Sequence, residues 1–306
     1  MEISGAVAVG GATAVSLIST NTRAAVEAGA AVAAGGAAAN GVAAEAWSPA
    51  DGVAPIAGST VRGLAVVASS SDDVDILFGS VAGNMSLAFA ANVVVVVNTG
   101  STVAEVKAAT VNAAAAPGGD VVVRALHAQA VSPRAFLGSG SAGVAAGIGI
   151  SVTTLSHATR AAIADAGWAA GVHGVWAGRG VEVTAMSRDT LKPDLVGAAI
   201  GTGAVSGVGI GLSAAARTTA EIQGRVSAQG GVAVRADSRL VAETLAVSVN
   251  AGLAGAGGAA VSAIILARET TATVSGGIVS AGVAGSVVVS AFGKEAVGIV
   301  VAAASV

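Results

Sequence analysis

The chain has 306 residues, of which 54% are apolar, 11% charged and 2% aromatic, with 44 glycines, no tyrosine and a formal net charge of -3. Ordinary domains carry about 25% charged residues, and a compact core needs large side chains to reach crystal-like density. Apolar content made mostly of Ala and Val therefore points to an elongated fold with a narrow core. The charge leaves no basic footprint for nucleic acid, and the lack of cysteine excludes disulfides and thiol chemistry.

The opening, MEISGAVAVGG, has no basic segment and Glu2 as its one charge, so it does not read as a signal peptide. The first motif, TRAAV ending at Val26, recurs as TVAEV at Val106, TRAAI at Ile163, TAEI at Ile222 and TATV at Val274. A second motif follows each of these in turn. It reads Leu64-Ala-Val66-Val-Ala68, Val121-Val-Val123-Arg-Ala125, Val181-Glu-Val183-Thr-Ala185, Val232-Ala-Val234-Arg-Ala236 and Val287-Val-Val289-Ser-Ala291. The closing alanines are 57, 60, 51 and 55 residues apart. Two ordered motifs recurring five times define about five degenerate repeats of 51–60 residues.

The motifs of one copy are 42, 19, 22, 14 and 17 residues apart in succession, so the first copy carries an irregular insertion over 29–60, with Trp47, Pro49 and Pro55. Proline is excluded from central strands, and Pro117, Pro133 and Pro193 also fall between the motif strands. The stretch from Thr218 to Ser238 shows the unit best. Ala220, Ile222, Val226 and Ala228 alternate with Glu221, Gln223, Arg225 and Ser227; after Gly230-Gly231, Val232, Val234 and Ala236 alternate with Arg235 and Asp237. Period two across a Gly-Gly break predicts two short half-buried strands joined by a bend, with the charged set in solvent.

Long uncharged runs lead into the first motif: Ile3–Thr22, Ile76–Ala104, Ala135–Thr159, Leu195–Ala216 and Ala246–Ala267, with another opening at AVGIVVAAASV. Their length raises a membrane-helix reading, and Gly203, Gly207 and Gly211 fit a small-residue helix-packing motif. Period decides for strands. Gly201, Gly203, Gly207, Gly209 and Gly211 share one parity, against Ile200, Ala204, Val208, Ile210 and Leu212. The same split sets Gly143, Gly147, Gly149 and Ser151 against Val144, Ala146, Ile148, Ile150 and Val152. Five consecutive valines, Val93 to Val97, favour strand over helix. A glycine face implies a second layer of backbone packed close to it.

Chemical motifs are sparse. Gly138-Ser-Gly140-Ser-Ala-Gly143 matches GxGxxG, but strand-like VAAGIGISV follows where a dinucleotide site needs a helix. His127, His157 and His173 show no metal spacing. Asp72, Asp73 and Asp75 read as a solvated turn, and Trp47, Trp168 and Trp176 as covers for the end of a narrow core. Aligning copies on the closing alanines stacks Val122, Glu182, Ala233 and Val288 in one outward column and Arg124, Thr184, Arg235 and Ser290 in the next. Glu105, Lys107, Glu182, Arg225 and Arg235 look scattered, with no paired carboxylates. No catalytic, cofactor-binding or metal-binding residue is assigned, and no enzyme activity or cofactor is expected.

With TTAEI, VAVRADS, TRAAI and VEVTAMS in hand, the chain resembles the repeat region of large bacterial filamentous adhesins, of the filamentous haemagglutinin and leukotoxin-like kinds. The resemblance implies an all-β, right-handed parallel β-helix (a solenoid), one array over 1–306 cropped from a longer protein. It further implies an exported structural or adhesive stalk at the bacterial outer surface or outside the cell. Its partners would be a host or neighbouring-cell receptor or glycan and flanking repeats of the same chain, with membrane contact only through a region outside this segment and no nucleic acid. The alternatives are a polysaccharide-active β-helix enzyme and a membrane-inserted array of β-hairpins.

Overall fold

The computed structural model describes residues 7–35, 42–43, 60–112, 118–164, 174–276 and 278–306. Its elements are strands: β1 (Val7–Val26), β2 (Ala31–Val32), β3 (Val42–Ala43), β4 (Thr60–Val61), β5 (Gly63–Asn84), β6 (Leu87–Lys107), β7 (Thr110–Val111) and β8 (Asp120–Ser141). They continue as β9 (Val144–Ala164), β10 (Gly174–Ala177), β11 (Val181–Leu191), β12 (Asp194–Gln223), β13 (Val226–Ala228), β14 (Val232–Val274), β15 (Val279–Ala281) and β16 (Val287–Ser305). Among the described residues there is no helix, and no helix long and apolar enough to cross a membrane.

The protein is all-β with parallel strands in a large sheet; the pairing of β3 with β4 is antiparallel. One layer holds β5, β8, β11 with the start of β12, the first part of β14, and β16. The other holds β1, β6, β9, the end of β12 and the end of β14. The short strands β2, β7, β10, β13 and β15 form a third row. Because β12 and β14 run from the first layer into the second, both layers belong to one nine-stranded sheet.

The motifs stack as their spacing predicts. Leu64, Val121, Val181, Val232 and Val287 are partners across five strands, and so are Ala68, Ala125, Ala185, Ala236 and Ala291. Val26, Val106, Ile163, Ile222 and Val274 align in the opposite layer. Ala220, Ile222, Val226, Ala228, Val232, Val234 and Ala236 are all buried. They divide over three segments rather than two, because the chain also turns at Gly224-Arg225, between β12 and β13. Pro133 departs from expectation by lying inside β8, opposite Ile76.

Two apolar cores run side by side. The first is three-walled, with Val66, Val123, Val183 and Val234 from one layer, Val106, Ile163 and Ile222 from the other, and Val111, Val175 and Val226 from the short strands. The second lies between the two long layers and includes Val94, Val96, Leu137, Leu155, Leu195, Ile210 and Leu212. Each buried valine or leucine contributes about 1.5–3 kcal/mol, so narrow rows of small side chains depend on repetition for stability. At one corner Gly29 takes a left-handed φ of 80°, and Ala108 takes a φ of 43° without glycine's freedom.

The glycine faces split in a way that periodicity does not reveal. In β9, Gly147 and Gly149 point inward, where a Cβ would come within 2.4 Å of a Leu137 methyl from the opposite layer. The space over these glycines is filled by leucine side chains of the opposite layer, not by the backbone that the glycine face implies. In β12 the parity reverses: Val208, Ile210 and Leu212 point inward, and Gly207, Gly209 and Gly211 face out.

Candidate functional site

Three groups of polar side chains stand out, and register builds each of them. On the outer face of the second layer, Glu105 and Glu221 occupy one column, separated by Ala162, while Arg23 and Arg160 occupy the neighbouring column. Arg23 Nη2 lies 2.6 Å from Glu105 Oε1, and Arg160 Nη1 lies 3.2 Å from Glu105 Oε2. Arg160 Nε donates to Glu221 Oε1 at 2.6 Å, and Gln223 Nε2 donates to Glu221 Oε2 at 2.9 Å. The result is a zigzag, Arg23–Glu105–Arg160–Glu221, across four consecutive strands. This corrects two expectations: the carboxylates are not scattered, and Glu221 is 8% exposed rather than solvated. Each carboxylate is held by arginine, so neither is free to act as an acid or base.

On the first layer, Arg124 Nε and Nη2 each donate to Glu182 at 2.9 Å, and Thr184 Oγ1 donates to Glu182 Oε1 at 2.9 Å. Burial pushes Glu182 up, but the Arg124 hydrogen bonds and charge, the Thr184 hydroxyl and Arg235 outweigh it and hold the carboxyl below the ordinary glutamate range. A groove of about 420 Å³ opens here, lined by Asp120, Val122, Glu182, Ala233, Arg235 and Val288. It contains the column read from the closing alanines. An ionised, arginine-clamped glutamate is a poor proton donor near neutral pH.

The third group was not legible as a site, and it lies between the two apolar cores. Ser70 Oγ is 2.9 Å from His127 Nδ1 and 2.6 Å from Thr102 Oγ1, which lies 3.2 Å from His157 Nε2. Asp189 Oδ1 lies 3.7 Å from His127 Nε2, beyond hydrogen-bond range, and Asp189 Oδ2 accepts from Arg268 Nη1 at 2.7 Å. Ser, His and Asp in this order suggest a nucleophile, base and orienter. Yet Ser70, His127 and Asp189 are 6%, 0% and 2% exposed, and the hydroxyl is already engaged by Thr102. The arrangement is a buried polar seam, with His157 held to a pKa of about 3 by burial and by the neighbouring His127.

A signal for the seam exists in the sequence. Counting two residues past the first four closing alanines gives Ser70, His127, Ser187 and Ser238, and counting four past the first three gives Asp72, Gln129 and Asp189. All have the inward parity of the alanines.

The remaining expectations resolve separately. Asp72 turns toward the interior and accepts from Thr20 Oγ1 at 3.2 Å, whereas Asp73 and Asp75 are exposed, so the three do not form one cluster. Gly138, Gly140 and Gly143 cross the end of β8 and the turn into β9. Trp176 lies within β10; Trp47, Trp168 and His173 fall outside the described residues, as does most of the insertion over 29–60. Among the described residues, no group of three or more His, Cys, Asp or Glu is placed to hold a metal ion. Comparison with protein-family models, curated proteins and solved structures finds no match for the chain.

Proposed function

We propose that the chain is a structural and adhesive stalk segment of an exported bacterial surface protein, built as a right-handed parallel β-solenoid of about five repeats and carrying no catalytic site. The observation that carries this reading is the unbroken parallel register of the five Val-x-Val-x-Ala strands. Stacking of that kind satisfies each strand's backbone through its neighbours and extends by repetition, which suits a rod. Flanking repeats of the same parent chain would continue the stack. Broad outer faces free of charge would supply contact surface for a receptor or glycan on a host or neighbouring cell. The resemblance of TTAEI, VAVRADS and VEVTAMS to adhesin repeats supports the same reading.

A polysaccharide-active β-helix enzyme is less well supported. Its acid–base groups need tuned, accessible carboxyls, and Glu105, Glu182 and Glu221 are each engaged by arginine. An array of membrane hairpins is also less well supported, because β5 and β6, and likewise β8 and β9, lie in different layers rather than pairing with each other.

The test applies purified protein to cell surfaces and glycan arrays, and in parallel to acidic and neutral polysaccharides. Binding without release of reducing ends or unsaturated products is expected. Steady turnover abolished by Glu182→Gln or by replacing Asp72, Asp73 and Asp75 would overturn the stalk reading.

A further inference from the structure

The outer face of the second layer, beyond the arginine–glutamate zigzag, is a flat sheet with no partner. Five neighbouring strands present it: β1 over 7–19 at the edge, then β6 over 87–99, β9 over 144–156, β12 over 203–215 and β14 over 255–267. None of the outward residues in these stretches is charged. Ile148, Ile150 and Val152 form a ridge along β9, exposed by 50%, 44% and 37%. Directly beside it, Gly207, Gly209 and Gly211 form a trough along β12, each the register partner of one ridge residue.

The trough has no explanation within the chain. A Cβ added at Gly207 or Gly209 meets nothing within 4 Å, and at Gly211 it meets only a Val152 methyl at 3.9 Å. Glycine inside a strand costs conformational entropy and weakens it, and a common reason for keeping it is the close approach of another body.

We propose that this face pairs with the same face of a second copy of the chain about a twofold axis. The axis lies in the interface, parallel to the strands and midway between β9 and β12. Rotation by 180° lays β9 of one copy parallel over β12 of the other. Ile148 then seats over Gly207, Ile150 over Gly209 and Val152 over Gly211, and each contact occurs twice, as an isologous interface requires. The outer strands fit by the same operation. Leu87 of β6 meets Gly255 of β14, and Phe89 meets Gly257, so large residues again oppose small ones.

The extent of the face is sufficient. Thirteen residues on each of the four strands from β6 to β14, at about 3.3 Å per residue and about 4.8 Å between strands, cover roughly 800 Å² per copy. A stable interface buries about 800 Å² on each partner. Beyond this area, Arg160, Arg217 and Glu269 end the uncharged surface. The pairing takes up one of the uncharged faces that the adhesive reading offers to a receptor, and it leaves the faces outside the pairing for such contact.

The test measures mass by light scattering across a range of concentrations for the whole chain and for Gly207→Val with Gly209→Val. Valine fills the trough but meets open space in the single chain, so the variant should keep its strand circular dichroism and melting temperature while shifting from two copies to one. A second variant carries Phe89→Cys and Gly257→Cys. Within one chain these positions lie three strands apart, roughly 14 Å at about 4.8 Å between strands, too far for a disulfide. Across the twofold they are opposed, and because the protein has no cysteine, a covalent dimer under oxidation would report this pairing. Three outcomes would overturn it. They are a monomer at all concentrations, an association unchanged by the valines (the signature of edge-to-edge strand pairing), and a monomer that binds phosphatidylcholine vesicles through this face.

Discussion

His127 and His157 come from opposite layers and stack with ring centroids 3.2 Å apart and planes 8° from parallel. Burial lowers both pKa values. For His157 the neighbouring His127 adds to the effect and the value falls to about 3; for His127, Asp189 and Asp72 oppose the shift. In the unfolded chain each ring titrates near 6.5, so below that pH the unfolded state takes up protons that the folded state refuses. Stability is intact above about pH 6.5 and falls as pH drops toward 3. Each pH unit costs about 1.4 kcal/mol through His157, or about 2 kcal/mol by pH 5. Urea unfolding at pH 7 and pH 5 should show this loss, and His157→Phe should remove most of it. An unchanged pH dependence in that variant would assign the acid sensitivity elsewhere.

Ala108 holds a φ of 43° two residues after Val106, where Gly276 holds 65° two residues after Val274. Left-handed backbone costs a residue with a Cβ about 1–2 kcal/mol more than glycine. Ala108→Gly should therefore raise stability, by up to about 1 kcal/mol after glycine's larger unfolded-state entropy is subtracted. A lower melting temperature would count against the corner geometry.

Ile222, Glu221 and Gln223 are consecutive but have three different surroundings. Ile222 is fully buried, Glu221 is clamped by Arg160, and Gln223 is exposed. Ile222→Asp should cost about 4 kcal/mol, through lost packing and an unpaired buried charge. Glu221→Ala should cost about 1 kcal/mol, since Arg160 keeps Glu105. Gln223→Ala should stay within about 0.5 kcal/mol. Chemical denaturation of the three variants checks the order, and equal losses would mean that the register is wrong.

Gly149 and Gly140 stand in similar glycine-rich runs, yet a methyl group should separate them. At Gly149 a Cβ would sit 2.4 Å from Leu137 Cδ2 and 3.1 Å from Leu195 Cδ1, whereas at Gly140 it meets nothing within 4 Å. Gly149→Ala should destabilise by about 1–3 kcal/mol through overpacking, and Gly140→Ala should be neutral or slightly stabilising. Thermal melts of the pair decide whether Gly149 indeed faces the opposite layer.

The stacking of strands was legible from residues alone. The recurring Val-x-Val-x-Ala and Thr-containing motifs carry the register, because a period of two sets side-chain parity and a one-residue slip would turn every valine outward. The alternation from Ala220 to Ala236 is visible for the same reason: its other face carries Arg, Glu, Gln and Asp, so inside and outside differ in polarity. In the uncharged runs that contrast vanishes. Gly147 and Gly149 alternate with Ile148 and Ile150 just as Gly207 and Gly209 alternate with Val208 and Ile210, and both faces are apolar. Only the opposing layer decides, by placing Leu137 over the first pair of glycines and leaving the second pair outward. Tertiary structure likewise created the His127–His157 stack and the Arg160 bridge. Their members lie 30 and 55–61 residues apart, and only folding of one layer onto the other, or lateral pairing of strands, brings them together.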